Sequence, residues 1–335
     1  MWSFRKEVKS LVFSFATVIL LFSGCERNTP NEPVDDGLPP AAPRGLNVFR
    51  EHDGEVGIEW IKNLETDMSH YKIFRKTISE NNFSPIDSTS SLYYFDYELE
   101  YDSTYVYKIS AVDYFGRESE FSGSVSATPK NQYYPSPPNY ISVNGKNWDN
   151  TLSVQLNYSP SFSTDISHYE IHKSTTQNFT ADSTTFIAKS DSLSFTDRND
   201  LEILTDYYFK LISVDKGGLK SRPSVEVKDI ILDSPEGIFP GNNSNVDYFT
   251  EFKIKTVSMP ADYKIVLQSN EIYGTEIEIN FSSSKPNELI FVPIRNITFT
   301  PYADYYWRVL AYTKSNNIPN SFSDLYKFTL VPGGE

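Results

Sequence analysis

Leu99-Glu100-Tyr101-Asp102-Ser103-Thr104-Tyr105-Val106-Tyr107-Lys108-Ile109-Ser110-Ala111 sets an apolar or small side chain on every second residue. The same places hold Leu201, Ile203, Thr205, Tyr207, Phe209, Leu211 and Ser213, and then Phe299, Pro301, Ala303, Tyr305, Trp307, Val309 and Ala311. A strand turns successive side chains to opposite faces, so a period of two marks a strand with one face on a core. Three copies imply three similar sandwiches in a row. Tyr105 to Tyr207 spans 102 residues and Tyr207 to Tyr305 spans 98, each close to the size of one two-sheet sandwich, about 100 residues.

Composition agrees with an all-β chain. Aromatic residues make up 15% of the 335 residues against only 15 glycines and 3 methionines, a balance that suits strands better than helical bundles. The formal net charge of -14 argues against nucleic acid as a partner, because a phosphate backbone has to be neutralised by clustered lysine and arginine.

Residues 1–24 read as an export signal: Arg5, Lys6 and Lys9 form a basic head and Leu11 through Phe22 is almost wholly apolar. That stretch is nearer the 7–15 apolar residues of a signal-peptide core than the roughly 20 of a membrane span. The following Leu21-Phe22-Ser23-Gly24-Cys25 resembles the lipobox of bacterial lipoproteins, in which the cysteine is lipidated and becomes the mature first residue. Cys25 is the only cysteine in the chain, so it forms no internal disulfide, and lipidation accounts for an otherwise leftover thiol in an exported protein. Residues 25–40 then read as a flexible tether, with Pro30, Pro33, Pro39 and Pro40 and no apolar periodicity. In extended polyproline geometry, at about 3.1 Å per residue, such a tether reaches on the order of 50 Å.

The first unit carries Val56, Ile58 and Trp60 in alternation, then Tyr71 and Ile73. The second repeats this with Leu152, Val154, Leu156 and Tyr158, then Tyr169 and Ile171, and Tyr158 takes the tryptophan's place. Asp67-Met68-Ser69-His70-Tyr71 returns as Asp165-Ile166-Ser167-His168-Tyr169. With a proline near the start, a tryptophan on the second strand, Tyr-x-Ile on the third, and a late alternating strand led by a leucine and bearing a corner tyrosine, the first unit resembles a fibronectin type III domain; the second does so without the tryptophan, and the third keeps Asp262-Tyr263-Lys264-Ile265 and the Tyr305-Tyr306-Trp307-Arg308-Val309 strand. The predicted fold is therefore three tandem fibronectin type III-like β-sandwiches over 41–130, 136–232 and 234–332. An antibody-type domain would need an inter-sheet cysteine pair that this chain cannot supply.

Catalytic chemistry finds few candidates. The chain has no His-Glu-x-x-His helix, no Gly-x-Ser-x-Gly elbow and no glycine-rich phosphate loop. His70 and His168 hold a repeated strand-entry position, and His172 shares a face with His168 on a strand, which reads as structure rather than a metal site. Asp96, Glu98, Glu100 and Asp102 alternate with Leu99 and Tyr101 and read as a solvated acidic face. No cofactor, metal or catalytic residue is predicted.

Aromatic side chains are the better lead. Trp148 lies in the turn-rich Asn144-Gly145-Lys146-Asn147-Trp148-Asp149-Asn150, with Tyr133 and Tyr134 upstream; exposed aromatics can stack on sugar rings or anchor a protein contact, and Trp148 can equally fold back on the interdomain joint. Tyr306, Leu310 and Tyr312 share the outward face of the last repeat strand with Arg308, and two readings stay open there: an exposed apolar patch, or a face covered by another strand's long side chains. The fold and motifs together imply a non-catalytic lipoprotein of the bacterial cell envelope, on the periplasmic or cell-surface side. Such a chain is expected to hold the membrane through Cys25 and to serve as a binding or spacer arm for an envelope protein; the alternative is a glycan-binding accessory of surface polysaccharide processing.

Overall fold

A computed structural model describes residues 33–271, 276–314 and 317–333, and these contain strands and no helix. Cys25 and the proposed export signal lie outside the described residues. Three separate apolar clusters form, one around Trp60, Tyr71 and Tyr107, one around Tyr158, Tyr169 and Phe209, and one around Phe252, Tyr263 and Trp307.

The first domain pairs Arg44–His52, Glu55–Ile61 and Tyr93–Asp96 in one sheet. Ser84–Thr89, Met68–Thr77, Tyr105–Asp113 and Val125–Ala127 form the facing four-stranded sheet. Inward residues are apolar because each strand keeps one face dry: Val56, Ile58, Tyr107 and Ile109 are fully buried. The second domain repeats the plan. Ile141–Trp148, Thr151–Tyr158 and Ser194–Asp197 face Phe186–Ser190, Ile166–Ser174, Asp206–Asp215 and Val227–Ile230. In the third, Glu236–Phe239, Glu251–Lys255 and Leu289–Pro293 face a sheet that contains Glu276–Ser283, Ala261–Gln268, Asp304–Tyr312 and Tyr326–Leu330. Its front half adds Ser244–Val246, which pairs in parallel with Tyr326–Leu330.

The corner tyrosines do the same work three times. The hydroxyl of Tyr105 accepts from the backbone N–H of Glu100 at 3.0 Å, Tyr207 from Glu202 at 2.7 Å, and Tyr305 from Thr300 at 2.7 Å. Such a bond ties the start of the strand to the loop that delivers it. A second set recurs on the Tyr-x-Ile strands: Tyr71, Tyr169 and Tyr263 accept from the N–H groups of Asn63, Ser161 and Val257 at 3.0, 3.0 and 3.1 Å. Trp60 meets Tyr71 edge-on at 5.2 Å, and Tyr158 meets Tyr169 in the same way at 5.1 Å.

The repeat strands begin later than the alternation implies. They start at Tyr105, Asp206 and Asp304, and the preceding residues form the corner instead. There Asp102, Leu204 and Tyr302 adopt φ of 58°, 58° and 59°. Their N–H groups bond Pro129, Ile231 and Leu330 carbonyls, so the left-handed turn is held by the end of each domain. The expected acidic face also fails at its first member. Asp96 is buried, accepts both oxygens' worth of bonds from Arg75 Nη1 at 2.9 and 2.8 Å, and takes the Tyr107 hydroxyl at 2.7 Å. Burial, with the Asp96 charge next, pushes the Tyr107 phenol far above its usual range.

Candidate functional site

The sequence-derived candidates fall at the two joints and on the third domain. Trp148 ends the strand Ile141–Trp148, and its indole N–H donates to the Pro319 carbonyl at 3.1 Å. Its ring lies 5.8 Å from that of Phe322, with Lys146 Nζ 4.5 Å above it, and the residue stays 37% exposed. Trp148 is thus part of the joint between the second and third domains.

That joint is continuous in its backbone. The two-residue strand Ser321–Phe322 pairs with Asp304–Tyr312 on one side and in parallel with Ile141–Trp148 on the other, which merges sheets of both domains into one of nine strands. Asn147 N–H donates to the Asn320 carbonyl at 2.6 Å. Asn320 Nδ2 donates to the Gly145 carbonyl at 2.9 Å while its Oδ1 accepts from Thr313 N–H at 2.7 Å. Asp229 accepts from Gly145 N–H at 2.8 Å and from the Thr313 hydroxyl at 3.0 Å, and Lys314 Nζ stands 3.4 Å away. Asn147, Asp229, Asn320 and Ser321 are all buried, and the bonds between Asp229, Asn320 and the Asn147 N–H replace those lost to water, while Asn147 Oδ1 meets no hydrogen-bond donor among the described residues. Gly145 is required by contact rather than by φ: a Cβ there would lie 2.4 Å from the Ile230 carbonyl oxygen.

The first joint is made by side chains. The Tyr101 hydroxyl donates to Asp165 Oδ2 at 2.7 Å, and Asn131 Nδ2 donates to Asp215 Oδ1 at 3.1 Å. Burial raises the Asp165 carboxyl above its ordinary range, and the charges of Asp215 and Asp53 add to that rise against the opposing Tyr101 bond. Tyr133 and Tyr134 sit here, 54% and 74% exposed, and share a cleft with His52, Asp53, Phe162 and Asp165. Tyr133 meets the His52 ring edge-on at 4.8 Å.

On the third domain the outward face of Asp304–Tyr312 is covered. Lys327 Nζ lies 5.9 Å over the Tyr306 ring, Arg308 reaches across Phe322 at 5.2 Å, and Tyr312 is buried at 9% exposure. Tyr312 lines a cleft with Asp229, Met259, Ser282 and Lys314, and burial raises its phenol pKa. Of the two readings of this face the structure has the covered one, with long cationic side chains lying over it.

An aromatic row that the sequence reading passed over lies on the first domain. Tyr93, Phe95 and Tyr97 alternate, so they share the outer face while Asp96 points inward. Phe49 meets Phe95 edge-on at 5.3 Å, Tyr93 meets it at 5.8 Å, and Tyr97 stacks on it at 6.0 Å. Phe49, Tyr93 and Tyr97 are exposed. Gly57 pairs with Phe95, and a Cβ on it would come 2.7 Å from the Phe49 ring, so this glycine is the floor on which the row rests. Tyr93-x-Phe95-x-Tyr97 was the available signal.

No family of sequences and no curated protein matches the chain. Among solved structures, a crystal structure of chicken CNTN1 FN1–FN3 domains is similar at 14% identity, covering 88% of this chain and 100% of that chain with a TM-score of 0.37. A second, described as "Myokine structure", is 22% identical and covers 27% of this chain and 99% of that chain with a TM-score of 0.25. The chain is a tandem of fibronectin type III-like sandwiches. Its paired three- and four-stranded sheets and three corner tyrosines carry that assignment.

Proposed function

We propose that this protein is a non-catalytic lipoprotein of the bacterial cell envelope, anchored through Cys25, whose second and third sandwiches act as one stiff arm that presents a surface to a protein partner. The joint between those domains supports the reading most strongly. A spacer has to resist bending, and a joint that shares a sheet and a buried polar network resists it better than a hinge of exposed linker. The lipobox-like residues before Cys25 supply the anchor, and stable anchoring takes more than one acyl chain or a chain plus a second signal.

Metabolic labelling with a fatty acid, followed by membrane fractionation, tests the anchor. The wild-type chain should be labelled and sediment with membranes, and Cys25→Ser should lose both properties. An unlabelled, freely soluble wild type ends the lipoprotein reading. Crosslinking in intact cells, with photoreactive groups placed on the third domain, should recover one defined envelope protein, and recovery of none ends the arm reading.

A second reading, glycan binding, is favoured by the Phe49, Tyr93, Phe95 and Tyr97 row, since the exposed rings of Phe49, Tyr93 and Tyr97 offer apolar faces on which a sugar can stack. A glycan array probed with wild type and with Tyr93→Ala/Tyr97→Ala decides it: array signals that vanish in the double variant support it, and arrays without signal for the wild type remove it.

A further inference from the structure

The first and second domains meet what precedes them with the same pair of aspartates. The Asp67 carbonyl accepts from Tyr114 N–H at 2.9 Å and the Asp165 carbonyl from Lys216 N–H at 2.9 Å. Likewise Asp113 Oδ1 accepts from Arg117 N–H, and Asp215 Oδ1 from Leu219 N–H, each at 2.8 Å. In the second domain the buried Asp165 takes the Tyr101 hydroxyl of the domain before it. In the first, Asp67 is 3% exposed and its Oδ2 meets no hydrogen-bond donor among the described residues.

What reaches Asp67 from the preceding segment is more negative charge. One carboxylate oxygen from each of Asp35, Asp36 and Asp67 lies within 4.8 Å of the other two. Arg117 answers part of this, with Nη2 2.5 Å from Asp35 and Nη1 2.9 Å from Asp113. Among the described residues no cationic side chain pairs with Asp36 or Asp67. A buried carboxylate next to two others is costly unless a positive charge joins them.

We propose that Asp35, Asp36 and Asp67 bind one calcium ion, which pins the segment leading into the first domain against that domain's end. Calcium takes oxygen ligands at about 2.3–2.6 Å, so two oxygens on one ion stand up to about 5 Å apart. Magnesium, at about 2.0–2.1 Å, needs them within about 4.2 Å and in strict octahedral order. The three aspartates supply part of the shell and water completes it. The ion takes the place that the Tyr101 hydroxyl fills in the second domain, and the site is independent of whether Cys25 carries lipid.

Calorimetric titration of calcium chloride into the detergent-solubilised full chain should give saturable one-site binding, with a Kd on the order of 10⁻⁴–10⁻³ M or tighter. Magnesium chloride should bind at least tenfold more weakly. Asp36→Asn, an exposed change that leaves the core alone, should weaken calcium at least tenfold, Asp67→Asn should abolish it, and Asp324→Asn on the third domain should change nothing. In hydrogen exchange, calcium should slow the amides of Gly37 and Leu38 in the wild type and not in Asp36→Asn. Absence of saturable calcium binding, wild-type affinity in Asp36→Asn, or equal weakening by Asp324→Asn overturns the proposal.

Discussion

The two joints of this protein solve one problem with different materials. Between the first and second domains the contact runs through the ends of side chains, Tyr101 to Asp165 and Asn131 to Asp215. Between the second and third it runs through backbone, where Ser321–Phe322 bridges two sheets and Asn320 fills the seam. A side-chain contact can be broken at the cost of a hydrogen bond or two, whereas the shared sheet cannot open without exposing buried N–H and C=O groups. The first joint therefore bends before the second does, and the second and third domains should unfold together.

The largest effect comes from Trp307→Ala. Trp307 is fully buried against Phe252 and Tyr326, and its indole N–H donates to the Pro240 carbonyl at 3.2 Å. Its truncation should cost about 3–5 kcal/mol. If the second and third domains are one cooperative unit, calorimetry will show the second domain's transition falling with the third while the first domain's stays in place.

Asn320→Ala attacks the seam itself. It strips donors from the Gly145 carbonyl and Asp229 and the acceptor from Thr313, and leaving such buried groups unpaired should cost about 1–3 kcal/mol. The shared transition should split into two. Tyr101→Phe is the matching change at the first joint, where it deprives the buried Asp165 of one donor for about 1 kcal/mol. Here the melt should barely move, and small-angle scattering should report a wider spread of shapes.

A smaller, pH-dependent effect sharpens the same contrast. His172 is 3% exposed, its Nδ1 lies 3.1 Å from the Thr185 hydroxyl, and burial lowers its pKa despite the opposing Glu170 charge. The unfolded chain takes up a proton near pH 6.5 that the folded chain refuses, so stability is complete above about that pH and falls as the pH drops toward the lower folded pKa. Thermal melts between pH 7.5 and pH 5 should show this loss in the joint transition of the second and third domains, and His172→Gln should flatten it.

What the sequence disclosed follows from local periodicity. Tyr105, Tyr207 and Tyr305 were legible as corner residues because their spacing repeats, and Tyr158 was legible as the substitute for a tryptophan. The alternation misled just upstream of them: Leu99 and Phe299 are buried like strand residues, yet they belong to corners whose chain turns at Asp102 and Tyr302. Asp96 looked solvated because its partner, Arg75, comes from a different strand. The second joint left no periodic trace. It depends on a strand of two residues, and the bond from Trp148 to Pro319 spans 171 positions in sequence. Trp148 could be flagged as unusual, but its occupant could not be read from its neighbours.

Distances between the domains test the comparison most directly. With Cys25→Ser as background, spin labels on Ser84→Cys, Ser183→Cys and Ser284→Cys, taken in pairs, report each joint by dipolar spectroscopy. The shared sheet should give a narrow distance distribution between the second and third domains, and the side-chain contacts a broader one between the first and second. Equal breadth at both joints, or the broader distribution at the second, would contradict it.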